Sequence, residues 1–192
     1  ALTMRCWSRL LATAGVSFVC AAALAQTPSY NGVGRTPTAD EVRAWDISVG
    51  PAGKELPPGS GTAKDGAAIY ARKCAACHGV SLEGGTAPDL VGGQGTLTTL
   101  RIERTIGSYW PFATTIWDYI NRGMPTTQRG SLTANEVYAL TAFLLYKNGI
   151  VQEGDVIDAK SLPEVRMPNR NNFVPYSPEW KKDAKRPHGL YP

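Results

Sequence analysis

Cys74-Ala75-Ala76-Cys77-His78 constrains this chain more than any other stretch. Two thiols three residues apart share one turn of backbone, and an imidazole follows the second directly. That spacing suits covalent attachment of a haem through two thioether bonds, with the histidine beneath the iron. With four cysteines and two histidines in 192 residues, chance would give such a match about once in a thousand chains. Two other chemistries use the same residue types. A thioredoxin-like dithiol calls for a nearby βαβ pattern, and a zinc site needs two further Cys or His at matching spacing. Neither accompanies the pentapeptide: Cys6 and Cys20 belong to a leader-like segment, and His188 is almost at the C-terminus. The expected fold is all-α, about four helices around one covalently held haem c, with Cys74 and Cys77 as the thioether residues and His78 as the proximal iron ligand.

Residues 1–25 read as a signal peptide. Arg5 and Arg9 form a positive start, Leu10 to Leu24 an apolar run, and Ala23-Leu24-Ala25 a small-x-small cleavage site before Gln26. An uncleaved N-terminal anchor is the other reading of the run, which is short for a membrane span. Export to the periplasm agrees with haem attachment outside the cytoplasm, and no membrane span is expected after cleavage. Cleavage also removes Cys6 and Cys20, so no disulfide is expected, and stability has to come from a modest core and the cofactor. Without Arg5 and Arg9 the chain has 18 basic and 16 acidic residues, a net charge of +2. A balance this small gives no footprint for nucleic acid.

Three regions follow the leader. Residues 26–62 carry Pro28, Pro37, Pro51, Pro57 and Pro58 and read as an extended arm, interrupted where Thr38-Ala39-Asp40-Glu41 forms a capping box before Val42 and Trp45. Residues 63–150 read as the haem domain. A helix capped by Thr62 or Asp65 delivers Cys74, with Ile69 and Tyr70 as core contacts. A glycine-rich loop follows His78, and another helix is expected from about Phe112 to Arg122, with Pro111 near its start. The last is the clearest: Thr133-Ala134-Asn135-Glu136 caps it, Val137, Leu140, Phe143 and Leu144 form its apolar stripe, and Asn148-Gly149 ends it. Residues 151–192 read as a second extended arm. No second CxxCH occurs, so one haem is the limit.

The group opposite His78 decides what such a haem does. Met124, Met167 and His188 are the available donors, and Met124 is favoured. It lies in Arg122-Gly123-Met124-Pro125, directly after a helix and 46 residues past His78, where a turn can aim its thioether at the iron. Met167 also precedes a proline but falls in the C-terminal arm. Coordination by His78 and Met124 closes the iron to substrates and leaves one-electron transfer as the chemistry. The Nδ1 hydrogen of His78 needs a fixed acceptor, for which the Pro88 carbonyl is the best candidate. Leu90 is expected against the haem, and Tyr109, Trp110 and Arg101 near its propionates.

Cys74-Ala-Ala-Cys77-His78-Gly79, Ala87-Pro88-Asp89-Leu90, Met124-Pro125 and the capped last helix together resemble a class I cytochrome c. Further segments sharpen the likeness: Gly34-Arg35 with Ala44-Trp45-Asp46-Ile47, Leu56-Pro57-Pro58-Gly59-Ser60-Gly61-Thr62, Gly92-Gly93-Gln94-Gly95-Thr96-Leu97, Gly107-Ser108-Tyr109-Trp110-Pro111, and Met167-Pro168-Asn169-Arg170. Over roughly residues 31–175 the chain resembles the SoxD-type cytochrome subunit of sulfane dehydrogenase from the thiosulfate-oxidising system. The resemblance implies a molybdenum-containing sulfane dehydrogenase subunit as partner and a small cytochrome c or the respiratory chain as electron acceptor. Related cytochromes serve sulfite dehydrogenases, and a free electron shuttle is the simpler alternative.

Overall fold

The structure, a computed structural model, describes residues 32–173. The leader, its two cysteines and His188 lie outside the described residues. The chain divides into two compact units, one ending at Trp45 and one beginning at Asp46. The described part of the first holds helix α1 (Ala39–Trp45). Its capping box is formed: the Glu41 N–H donates to Thr38 Oγ1 at 3.2 Å, and the Thr38 N–H to Glu41 Oε2 at 2.8 Å.

The second unit is built on the crossing of α2 (Ala63–Lys73) and α5 (Ala134–Lys147). Both start on reciprocal boxes, Thr62 with Asp65 and Thr133 with Glu136, in which each threonine hydroxyl takes the N–H of the acidic residue and each carboxylate takes the threonine N–H. The crossing is close because glycine allows it. A Cβ on Gly66 would lie 2.0 Å from the Ala139 carbonyl oxygen, and one on Gly61 2.3 Å from the Ala139 nitrogen. Tyr70 of α2 then packs on Phe143 of α5 with ring centres 5.2 Å apart. Helix α4 (Ala113–Gly123) buries Ile116, Trp117 and Ile120 against the same core, and Trp117 lies 5.5 Å from Tyr138. Helix α3 is the single turn Ala75–His78 that follows α2.

The small cytochrome c fold read from the sequence is therefore the observed one, with additions. A two-residue antiparallel pairing joins β1 (Ser60–Gly61) to β2 (Ile157–Asp158), with Ser60 opposite Asp158 and Gly61 opposite Ile157. Short 3₁₀ turns occur at Thr96–Thr98 and Leu162–Glu164. The stretches read as arms also reach the core: Val49 and Leu56 on one side and Ile157, Leu162 and Met167 on the other are buried in it. Their apolar residues are spaced singly among prolines and polar residues, so they bury one at a time and show no period.

The N-terminal stretch is further held by polar bonds to α4 and α5. Val49 N–H donates to Asp118 Oδ1 at 2.9 Å, the Tyr138 hydroxyl donates to the Pro57 carbonyl at 2.8 Å, and Arg122 pairs with Asp118 Oδ2 at 2.9 Å. Asp118→Ala leaves the Val49 N–H buried without its acceptor, for an expected loss of about 2 kcal/mol. Asp118→Asn, which keeps one carbonyl acceptor, is expected to lose less; denaturant midpoints of the two holoproteins check the order.

Lys73 Nζ reaches Glu136 Oε1 at 3.0 Å, bridging α2 to the capping box of α5. The Thr133 N–H, and then Lys73, hold the Glu136 carboxyl below its ordinary 4.5. A lowered carboxyl pKa adds stability that is present above the ordinary value and disappears as pH falls through the folded one. Glu136→Gln is therefore expected to cost ~0.5–1 kcal/mol at pH 7, since cap and pair are both partly solvated. It should also flatten the fall in stability below about pH 4.5, read from denaturation midpoints across that range.

Candidate haem site

Helix α2 ends at Cys74, whose N–H donates to the Tyr70 carbonyl at 2.9 Å, and the chain turns at once into α3. Within that turn the N–H groups of Cys77 and His78 both donate to the Cys74 carbonyl, at 3.1 and 3.0 Å. The two thiols and the imidazole therefore sit on one turn, as a double thioether link with an adjacent ligand requires. Cys74 is half-buried and Cys77 exposed. Burial pushes the Cys74 thiol up to about 11, against the opposing effect of Lys73. A redox dithiol needs a lowered thiol that attacks as thiolate, so this environment speaks against thioredoxin-like chemistry.

Backbone bonds fold the following loop over His78. Gly84 N–H donates to the His78 carbonyl at 2.9 Å, Ala87 N–H to the Cys77 carbonyl at 3.0 Å, and Leu90 N–H to the Leu82 carbonyl at 2.9 Å. The buried Tyr70 hydroxyl donates to the Gly79 carbonyl at 2.8 Å, and burial holds that phenol up at about 12, so it remains a donor. Pro88 is caught between these anchors, and its carbonyl oxygen lies 2.7 Å from His78 Nδ1. With Nδ1 donating there, the imidazole's lone pair is on Nε2, the nitrogen free for a metal.

The other candidates are distributed around the edge of the core. Met124 follows α4 directly, with its N–H on the Ile120 carbonyl at 3.0 Å, and its half-buried side chain packs on the core. Leu90 and Trp110 are half-buried on the same core, and Trp110 meets Tyr119 edge-on at 5.7 Å. Tyr109 is partly exposed, and Arg101 lies on the exposed loop after Thr96–Thr98. Met167, the alternative sulfur, is buried in the core at 3% exposure. Cys74, Leu90, Trp110 and Met124 are each half-buried and packed on the core, and two thiols with an imidazole on one turn are a donor set that fits a covalently attached haem. Among the described residues no group of three or more His, Cys, Asp or Glu comes together.

Two asparagines of this region escape sequence reasoning. Asn169, buried, donates from Nδ2 to the Tyr109 carbonyl at 2.7 Å, and Arg170 lies over the Phe112 ring at 5.3 Å. The C-terminal stretch thereby holds the loop that enters α4. Asn148 donates from Nδ2 to the Leu90 carbonyl at 3.1 Å and to the Leu144 carbonyl at 2.8 Å. In sequence it reads only as the polar residue that ends a helix.

Comparison with known proteins agrees with this fold. The family model for cytochrome c oxidase, cbb3-type, subunit III, matches residues 61–144. No curated protein matches the sequence. A chain from the crystal structure of the sulfane dehydrogenase SoxCD of Paracoccus pantotrophus superposes with a TM-score of 0.71 at 41% identity. The match covers 81% of this chain and 79% of that one. Identity at that level over most of both chains shows common family as well as common fold. The chain belongs to the c-type cytochromes of the SoxD type, haem proteins that transfer electrons.

Proposed function

We propose that this chain is the periplasmic monohaem subunit of a molybdenum sulfane dehydrogenase of the thiosulfate-oxidising type, an S-disulfanyl-L-cysteine oxidoreductase. It takes electrons from the catalytic subunit and passes them to a small cytochrome c or the respiratory chain. The observation that carries this reading is the 41% identity to a SoxCD chain across 81% of the sequence. Cys74 and Cys77 would hold the one haem c covalently, His78 and Met124 would ligate its iron, and residues 1–25 would direct export. The bound haem supplies a reversible one-electron couple at its iron. The chain's own residues fix the terms of that couple. The Pro88 carbonyl holds the His78 ring in one tautomer, while Met124 would supply the second protein ligand to the iron and so exclude water and substrates. Leu90 would pack on the haem, and Trp110, Tyr109 and Arg101 would hydrogen-bond its propionates.

The test is purification of the protein from its host with identification of what accompanies it. A stable complex containing a molybdenum protein, whose reduction by a sulfane-sulfur substrate bleaches the oxidised haem spectrum, is the expected result. Reduction by sulfite instead moves the substrate assignment. A cytochrome that purifies alone makes it a free shuttle.

A further inference from the structure

The structure assigns Asn148 as a positioning residue for His78, acting through the Pro88–Leu90 segment. This rests on the reading of His78 as an axial residue. Pro88 has no N–H of its own, so the direction of its carbonyl is set by its neighbours. On one side Ala87 is tied to the Cys77 carbonyl, and on the other Leu90 N–H is tied to the Leu82 carbonyl. Both ties stay within the loop that begins at the haem motif. The tie from outside it is Asn148, 58 residues further along the chain, whose side chain grips the Leu90 carbonyl. The same NH₂ group binds the Leu144 carbonyl in the last turn of α5, so the amide clamps the loop to the end of the core helix.

The amide's other polar atom sharpens the assignment. Asn148 Oδ1 is buried without a hydrogen-bond partner, so the two N–H bonds alone hold the side chain in this orientation. Space for it comes from Gly107, where a Cβ would lie 2.4 Å from Asn148 Oδ1 and 2.8 Å from Gln94 Nε2. Loss of the clamp frees Leu90, lets the Pro88 carbonyl turn and lengthens its bond to His78 Nδ1. A weaker bond there makes the imidazole a poorer donor, which favours the reduced iron and raises the midpoint potential.

Asn148→Ser, which withdraws the donor from Leu90 without changing charge, tests this in the holoprotein. Gly107→Ala tests it independently by pushing on Oδ1. Proton exchange at His78 Nδ1 in the reduced protein is expected to speed up on the order of tenfold, the equivalent of one lost hydrogen bond. The potential should rise in both variants while the Met124 charge-transfer band persists. Unchanged exchange and unchanged potential in folded holoprotein overturn the assignment. Wild-type His78 resonances without haem ring-current shifts overturn the axial reading itself, and this inference with it.

Discussion

Gly66→Ala is expected to cost about 2–4 kcal/mol, even though alanine is the better helix former. The helix propensity gained is about 1 kcal/mol. Against it stands a Cβ placed 2.0 Å from the Ala139 carbonyl oxygen and 2.7 Å from Phe143 Cβ, an overlap that requires α2 and α5 to move apart. Separation also loosens the Tyr70–Phe143 contact and disturbs the turn that presents Cys74. Lower yield of holoprotein and a lower denaturant midpoint are the expected measurements. A second substitution sharpens the argument. The nearest atoms facing Gly66 are backbone, so Ala139→Gly removes nothing that blocks the new methyl and is expected not to rescue it. Recovery in the double variant would mean that the crossing is controlled by side-chain volume.

Met124→Ala is expected to remove the thioether-to-iron charge-transfer band of the oxidised protein completely. It should also lower the midpoint potential and admit carbon monoxide to the reduced iron. The physical reason is that a thioether stabilises the reduced state, and its loss leaves a position that exogenous ligands fill. Met167→Ala provides the contrast. Met167 is 3% exposed in the core, so its truncation leaves a cavity and costs about 2–5 kcal/mol, with band and potential retained. The opposite pattern, a band lost in Met167→Ala and kept in Met124→Ala, would reassign the axial sulfur.

What could be read from the sequence depended on whether the information was local. Thr62 with Asp65 and Thr133 with Glu136 are three-residue patterns that carry their own hydrogen bonds, and both helices start where those residues stand. The pentapeptide at Cys74 is equally self-contained, because one turn of backbone brings its three reactive groups together. The Ala87-Pro88 segment stood out for the same reason, and its carbonyl does lie beside His78 Nδ1. Interactions between distant residues left no such trace. Asp118 reads as an ordinary polar position on a helix, yet it receives the Val49 N–H from 69 residues away. Asn148 reads as a helix end, and its amide reaches Leu90. Val49, Leu56, Leu162 and Met167 stand alone among polar neighbours, so only the folded surface of α4 and α5 reveals that they belong to one core.

The pairing of Ser60–Gly61 with Ile157–Asp158 limits how this cytochrome can be recombined. Cutting at residues 63 and 150 keeps the haem motif, its loop and Met124 together. It would also break the clasp and remove Val49, Leu56, Ile157, Leu162 and Met167 from the interior. The transplantable module therefore begins at Asp46 and includes at least the core residues through Met167. Chimeras that graft the haem unit onto another dehydrogenase, or append a second relay domain, are best joined beyond those points.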